Sequence, residues 1–108
     1  MVNATLLAQV KRKLNITWDD DDTTARVNEI VESAIPDLIR LLGIADPDFD
    51  FSVAGAENTL LLAYCLYEWN HALSDFDLNY ERMIAQVRTK HEVEYYRAES
   101  GAGADAEE

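Results

Sequence analysis

The feature that most constrains the fold is a run of eight consecutive apolar residues, Leu60 to Tyr67, in the middle of the chain. The surrounding uncharged stretch, residues 58–67, is far shorter than the roughly 20 residues that span a bilayer. We place the run in a helix over about residues 56–73. A helix that is apolar on every side lies at the centre of a fold or is covered by a partner.

Three further segments have apolar residues at helical rather than alternating spacing. Asn3 is a plausible N-cap for the first, because its side chain can accept from a free backbone N–H. Ser74 and Asp77 resemble a capping box near the start of the last. The predicted helices cover about residues 4–14, 23–42 and 77–97.

The second helix contains Pro36, which removes one backbone hydrogen bond and crowds the preceding turn. The apolar spacing continues in phase beyond the proline, so we expect a kink rather than two helices. Gly43 is well suited to end the element in a left-handed conformation.

Residues 99–108 are small and acidic and carry no apolar anchor. We therefore expect a flexible tail that could become ordered on assembly, after a helical domain over residues 1–98. The sequence predicts an all-α fold: a small bundle of about four helices with a kinked second helix, a long final helix and an extended acidic C-terminal tail.

The charge balance excludes several functions. Nine Lys and Arg residues face 21 Asp and Glu residues, which gives a formal net charge of −12. Non-specific nucleic-acid binding needs cations to displace counterions from phosphates, so it is not expected.

The single cysteine, Cys65, excludes an internal disulfide. The sequence shows no targeting segment and no membrane span, and it predicts a soluble protein of one domain.

The loop after the second helix invites a calcium hypothesis. Asp46, Asp48, Asp50 and Glu57 fall at positions 1, 3, 5 and 12 of an EF-hand-like window. Phe51 occupies the position where the sharp turn requires glycine. We therefore expect a structural loop, with these four residues as a weak calcium candidate.

Other candidate sites have simpler interpretations. Glu68 and His71 show the E-x-x-H spacing of di-iron bundles, but a second such pair is missing. Cys65 has apolar neighbours, so we expect its thiol to be buried and unreactive. The basic run Lys11–Lys13 fits a helix C-terminus, and Asp19–Asp22 fits a helix N-terminus. These patterns predict no enzymatic activity, no cofactor and no catalytic residue.

Aromatic residues are abundant for so small a helical domain. Such amphipathic rings favour protein interfaces, where one end is apolar and the other is wet. The end of the last helix, Glu94 to Arg97, is hard to bury within one chain. The interface candidates are Tyr64, Tyr67, Trp69, Tyr80, Tyr95, Tyr96, Arg97, Glu107 and Glu108.

The run from Leu61 to Asn70, followed by Phe76, Asn79-Tyr80 and Glu92 to Tyr96, resembles the head–tail connector proteins of tailed bacteriophages, also called adaptor or head-completion proteins. The resemblance covers about residues 4–97, in the order of the helices, and is strongest from Leu60 onward. The segment after Glu99 has no counterpart in it.

The resemblance implies a small helical bundle that forms a homo-oligomeric ring, typically a dodecamer, beneath the portal of the capsid. The partners would be other copies of the chain, the portal protein, and head-closure, stopper or tail proteins. Double-stranded DNA would pass through the channel without specific binding. The protein would be located in the virion and, during assembly, in the host cytoplasm.

Two alternatives remain open on the sequence. The charge alone favours an acidic DNA mimic that inhibits a nucleic-acid enzyme. The loop of Asp46, Asp48 and Asp50 keeps a calcium-binding helical module as a less favoured interpretation.

Overall fold

The computed structural model describes the backbone of residues 3–107 and the side chains of residues 3–97. Within this range the chain forms five α-helices and no strand, so the all-α prediction is confirmed. The helix count is five rather than about four. The helices are α1 (Ala4–Lys13), α2 (Asp21–Leu41), α3 (Ala56–Trp69), α4 (Leu73–Asn79) and α5 (Glu81–Glu107).

Short polar side chains start the first two helices. Asn3 Oδ1 accepts from the backbone N–H of Leu6 at 2.7 Å, as the sequence predicts. Asp20 caps α2 by accepting from the N–H of Thr23 at 3.2 Å. Each cap satisfies a donor that the first turn of a helix leaves unpaired, and contributes about 1 kcal/mol.

Three helices end in the same way, with a residue of positive φ after the last turn. Asn15, Gly43 and His71 have φ values of 60°, 64° and 56°. In each case the following N–H reaches back to a carbonyl of the last turn, as Ile44 N does to Ile39 O at 3.0 Å. This is the Schellman arrangement, and the role predicted for Gly43 is confirmed.

Pro36 lies inside α2, which continues as one helix to Leu41. The predicted continuity through the proline is therefore observed, while the kink itself stays a prediction.

Helix α3 is central, as its apolar sequence predicts. It packs against α1, α2, α4 and α5. Burying one large aliphatic side chain contributes about 1.5–3 kcal/mol, so this helix supplies much of the stability. Its buried apolar residues are Leu60, Leu61, Ala63, Tyr64 and Cys65.

The chain between α3 and α5 departs from the prediction. Helix α3 ends at Trp69 because His71 takes the left-handed conformation, and the short α4 follows. The buried ring of Phe76 holds α4 to the core. Ser74 lies inside α4, whose N-cap Ala72 makes no side-chain bond, so the predicted capping box is wrong.

Helix α5 has 27 residues and extends past the bundle. The molecule measures 58 × 28 × 19 Å, and the side chains of residues 92–97 are all exposed. The backbone is helical to Glu107, where the sequence predicted a flexible tail from residue 99. Extending a helix costs far less than nucleating one, and alanines 102, 104 and 106 favour it, whereas Gly101 and Gly103 oppose it.

None of the described helices has the length and apolar character that crossing a membrane requires.

Candidate functional site

A buried carboxylate joins α3 to α5. Glu57 is in the first turn of α3 and is only 8% exposed. Its Oε2 atom accepts from Nζ of Lys90 and lies 2.8 Å from Nε2 of His91. Because an ionised carboxylate can only accept, the proton belongs on Nε2 of the imidazole. We call these three residues the Glu57 cluster.

The surroundings stabilise the charged form of Glu57. Burial raises the pKa of Glu57, but hydrogen bonds from Lys90, from its own backbone N–H and from His91, with the Lys90 charge, outweigh burial and lower it. The position in the first turn of α3 also favours a negative charge. The carboxylate is therefore ionised at neutral pH.

The loop before α3 closes the cluster. The ring of Phe49 meets the imidazole of His91 edge to face, with centroids 5.8 Å apart, and Phe51 packs against Phe49 at 4.9 Å. On the other side, Oε2 of Glu94 lies 3.8 Å from Nδ1 of His91. A carboxylate with a lowered pKa is a weak base, so this arrangement is suited to clamping α5 onto α3 and the loop.

A large apolar depression lies between α2 and α5. Its volume is about 1140 Å³, and it includes residues of the 43–47 loop. We call it the α2–α5 groove. It is lined by Glu32, Ile35, Pro36, Ile39, Arg40, Gly43, Ile44, Ala45, Pro47, Glu92, Tyr95 and Tyr96.

One predicted interface residue belongs to the core. Tyr64 is 7% exposed, and its hydroxyl donates to Oδ2 of Asp37 at 2.6 Å. Burial, with the nearby Asp37 carboxylate, raises the pKa of this phenol well above its ordinary value. Within this structure Tyr64 is therefore part of the core under α2, and its predicted interface role stays a prediction.

Three other predicted interface residues are half-buried. Tyr67 and Tyr80 surround the buried ring of Phe76, at centroid distances of 6.0 and 5.2 Å. Trp69 lies beneath the guanidinium of Arg26, 4.4 Å from the ring centroid. Tyr67 and Tyr80 therefore help to attach α4 to α3, and Trp69 contacts α2 through Arg26.

The candidates at the end of the chain are the most accessible. Tyr95 is 51% exposed and Tyr96 is 72% exposed, while the neighbouring Val93 is 43% exposed. Arg97 is exposed as well. The side chains of Glu107 and Glu108 lie outside the described residues.

The calcium candidates do not converge. Asp46 and Asp50 accept from the backbone N–H groups of Asp48 and Ser52, both at 2.9 Å, which are local turn contacts. Glu57 is bound by Lys90 and His91 instead. Among residues 3–97, no group of three or more His, Cys, Asp or Glu side chains could hold a metal ion.

The E-x-x-H pair, Glu68 and His71, does not lie on one face of a helix. His71 follows the end of α3 in a left-handed conformation, so it is not one helical turn beyond Glu68 on the same face. Its Nε2 lies 3.5 Å from the guanidinium of Arg26. Cys65 is fully buried, and burial, with Glu68 nearby, raises the pKa of its thiol to about 12.

The charged runs lie at helix ends, as their sequence predicts. Lys11, Arg12 and Lys13 form the last turn of α1, and Asp21 and Asp22 form the first turn of α2. Lys11 also donates to the hydroxyl of Thr24 at 2.9 Å.

Sequence reasoning missed the Glu57 cluster and the groove. Glu57 and His91 are 34 residues apart, and no local pattern pairs them. The available signal was a glutamate in the first turn of a helix that is apolar from Leu60 to Tyr67.

No protein-family model, curated protein or solved structure matches the chain.

Proposed function

We propose that the chain is a structural virion protein of a tailed bacteriophage, a head–tail connector. In this role it forms a ring between the portal and the head-closure or tail proteins, extends the DNA channel and docks the tail. The proposal starts from the resemblance over residues 4–97 and fits an all-α chain.

The observation that carries the proposal is the exposed aromatic end of α5 beside the α2–α5 groove. Val93, Tyr95 and Tyr96 lie on a helix segment that projects from the bundle. Exposed aromatic side chains beside an apolar groove favour an interaction site, and tyrosine is enriched in interfaces. Such a surface suits a subunit that docks another protein of the head–tail junction.

The charge of the chain supports the same proposal. Double-stranded DNA carries about one charge per 1.7 Å of its axis. A ring of subunits that each carry −12 would repel the duplex rather than bind it. DNA could then slide through without sticking to the wall.

Recruitment by the portal tests the proposal. Purified chain should sediment alone as a monomer or loose oligomer and should co-sediment with the portal at micromolar concentration, with a ring visible by negative-stain electron microscopy. A portal from a phage with an unrelated tail is the control. If the cognate portal fails to recruit the chain, the connector proposal is wrong.

The end of α5 gives a second test of the connector role. Deleting residues 100–108 should weaken docking to the portal, while the bundle formed by residues 3–97 keeps its thermal transition. Docking of undiminished affinity would show that this segment has no part in assembly.

A DNA mimic is the second candidate, because the charge of −12 alone favours it. It would bind a nucleic-acid enzyme tightly, and duplex DNA would compete with it. A connector would show no such competition, so screening DNA-binding enzymes separates the two proposals.

A further inference from the structure

The α2–α5 groove is a large feature that the packing of the bundle leaves unused. Its walls include Pro36 and Ile39 of α2, Ile44 of the loop and Tyr96 of α5. The volume of about 1140 Å³ lies above the range of about 300–1,000 Å³ typical of small-molecule sites. The groove is therefore large enough for a segment of polypeptide.

The charges around the groove are predominantly acidic. Its one lining cation, Arg40, pairs with Asp37 at 3.2 Å, and its lining Glu92 pairs with Arg88 at 3.0 Å. Glu32 also lines the groove and accepts from Asn28. Asp46 and Asp48 flank the lining residue Pro47 in sequence. Among the described residues, Glu32, Asp46 and Asp48 have no cationic partner.

We infer that the α2–α5 groove binds a short amphipathic segment of a partner protein, with apolar side chains against Ile39 and Tyr96 and lysine or arginine facing Glu32 and the Asp46–Asp48 loop. The identity of that partner as portal or head-closure protein rests on the proposed function, whereas binding to the groove does not. A second copy is the weaker occupant, because its basic run Lys11–Lys13 lies on α1, whose apolar side chains Leu6 and Val10 are already buried in the bundle.

A pair of matched peptides tests the inference directly. The first is a helical peptide of about twelve residues with leucines spaced i, i+4 and i+7 on one face and lysines on the other. The second has glutamate in place of each lysine. Titrated into the full-length ¹⁵N-labelled chain, the lysine peptide should shift the amide signals of Ile39, Ile44 and Tyr96. It should bind at least about tenfold more tightly than the glutamate peptide, a difference of about 1.4 kcal/mol.

Three variants make the test specific. Tyr96→Ala should weaken the lysine peptide by about tenfold. Leu78→Ala, at a side chain that is 73% exposed on α4, is the matched control and should change nothing. Glu32→Lys should reduce the preference for the lysine peptide several-fold without altering the circular dichroism spectrum.

Three other outcomes would contradict the inference that the groove binds a basic segment of a partner protein. Equal binding of both peptides would show a non-specific apolar patch, and absence of binding at millimolar concentration would show that the groove is no docking site. Self-association that Tyr96→Ala abolishes would assign the groove to a second copy.

The groove and the connector role can fail independently. Recruitment by the portal that is unaffected by Tyr96→Ala and Glu32→Lys would reject the groove as the docking site. The connector role would then stand on the recruitment itself and no longer on the exposed end of α5. Selective binding of the lysine peptide without recruitment by the portal would support the groove as a docking site and reject the connector role.

Discussion

The imidazole Nε2 of His91 lies 2.8 Å from the carboxylate Oε2 of Glu57, 34 residues earlier in the chain. Both side chains are about nine-tenths buried, at 10% and 11% exposed. This contact fixes the middle of α5 against the start of α3. It therefore determines the direction in which residues 92–97 project and positions one wall of the α2–α5 groove.

Removing the carboxylate should destabilise the bundle. Glu57→Ala leaves the Nε2–H of His91 buried without an acceptor, and an unsatisfied buried donor costs about 1–3 kcal/mol. Urea unfolding at pH 7, followed by circular dichroism, measures the change. The matched control is Glu92→Ala, which removes a pair with Arg88 that is about half exposed on both sides and should cost less than about 0.5 kcal/mol. Equal effects of the two substitutions would contradict the assigned role of Glu57.

Lowering the pH should remove the stabilisation that the Glu57 carboxylate provides. The pKa of Glu57 is lowered from its ordinary 4.5, so the folded chain binds this proton less readily than the unfolded chain does. The stabilisation is therefore fully present above about pH 5.5 and is lost as the pH falls through the lower, folded value. Between about pH 5 and 3, the free energy of unfolding should fall more steeply for the wild type than for Glu57→Gln. Parallel curves, measured as urea midpoints across this range, would show that the carboxylate is not stabilised in its charged form.

The parts of the fold that the sequence predicted are those determined by local chemistry. Asn3 caps α1 and Gly43 ends α2 because backbone conformation and nearby hydrogen bonds select these residues. The apolar run in α3 likewise predicts a central helix, since every face needs cover. These signals all lie within a few residues of the feature they determine.

The parts that the sequence did not predict depend on distant contacts. The hydroxyl of Tyr64 donates to Asp37, 27 residues away, and the residue is buried in the core, which its sequence context does not indicate. The short helix α4 is held by Phe76, whose ring packs against Tyr64 of α3, 12 residues earlier in the chain, and against Tyr80 at the end of α4. The α2–α5 groove likewise combines residues from two helices and a loop.

Replacing His71 with glycine should stabilise the protein. His71 has a φ of 56°, a conformation that costs an ordinary residue about 1–2 kcal/mol and glycine little. Because glycine also gives the unfolded chain more freedom, we expect a net gain of about 0.5 kcal/mol. The control is Ala85→Gly, at an exposed position inside α5, which should destabilise by about 1 kcal/mol. Thermal unfolding measures both, and a lower midpoint for His71→Gly would mean that the contact of the imidazole with Arg26 outweighs the backbone strain.

The thiol of Cys65 should be unreactive in the folded protein. It is fully buried, and burial raises its pKa to about 12, so very little thiolate exists at pH 8. Ellman's reagent should release no more than a trace of thionitrobenzoate until urea unfolds the chain. As a positive control, Leu78→Cys places a second thiol at an exposed position and should react at once. Rapid labelling of the wild type would show that α3 opens readily.

Calcium should leave the protein unchanged. Asp46 and Asp50 are engaged in turns with backbone N–H groups, and Glu57 is bound by Lys90 and His91. A calcium ion needs six to eight oxygen ligands, which these carboxylates do not converge to supply. Titration to about 10 mM, well above the weakest known EF-hand sites, should leave the fluorescence of Trp18 and Trp69 constant. A saturable change that magnesium does not reproduce and that Asp48→Asn abolishes would restore the calcium hypothesis.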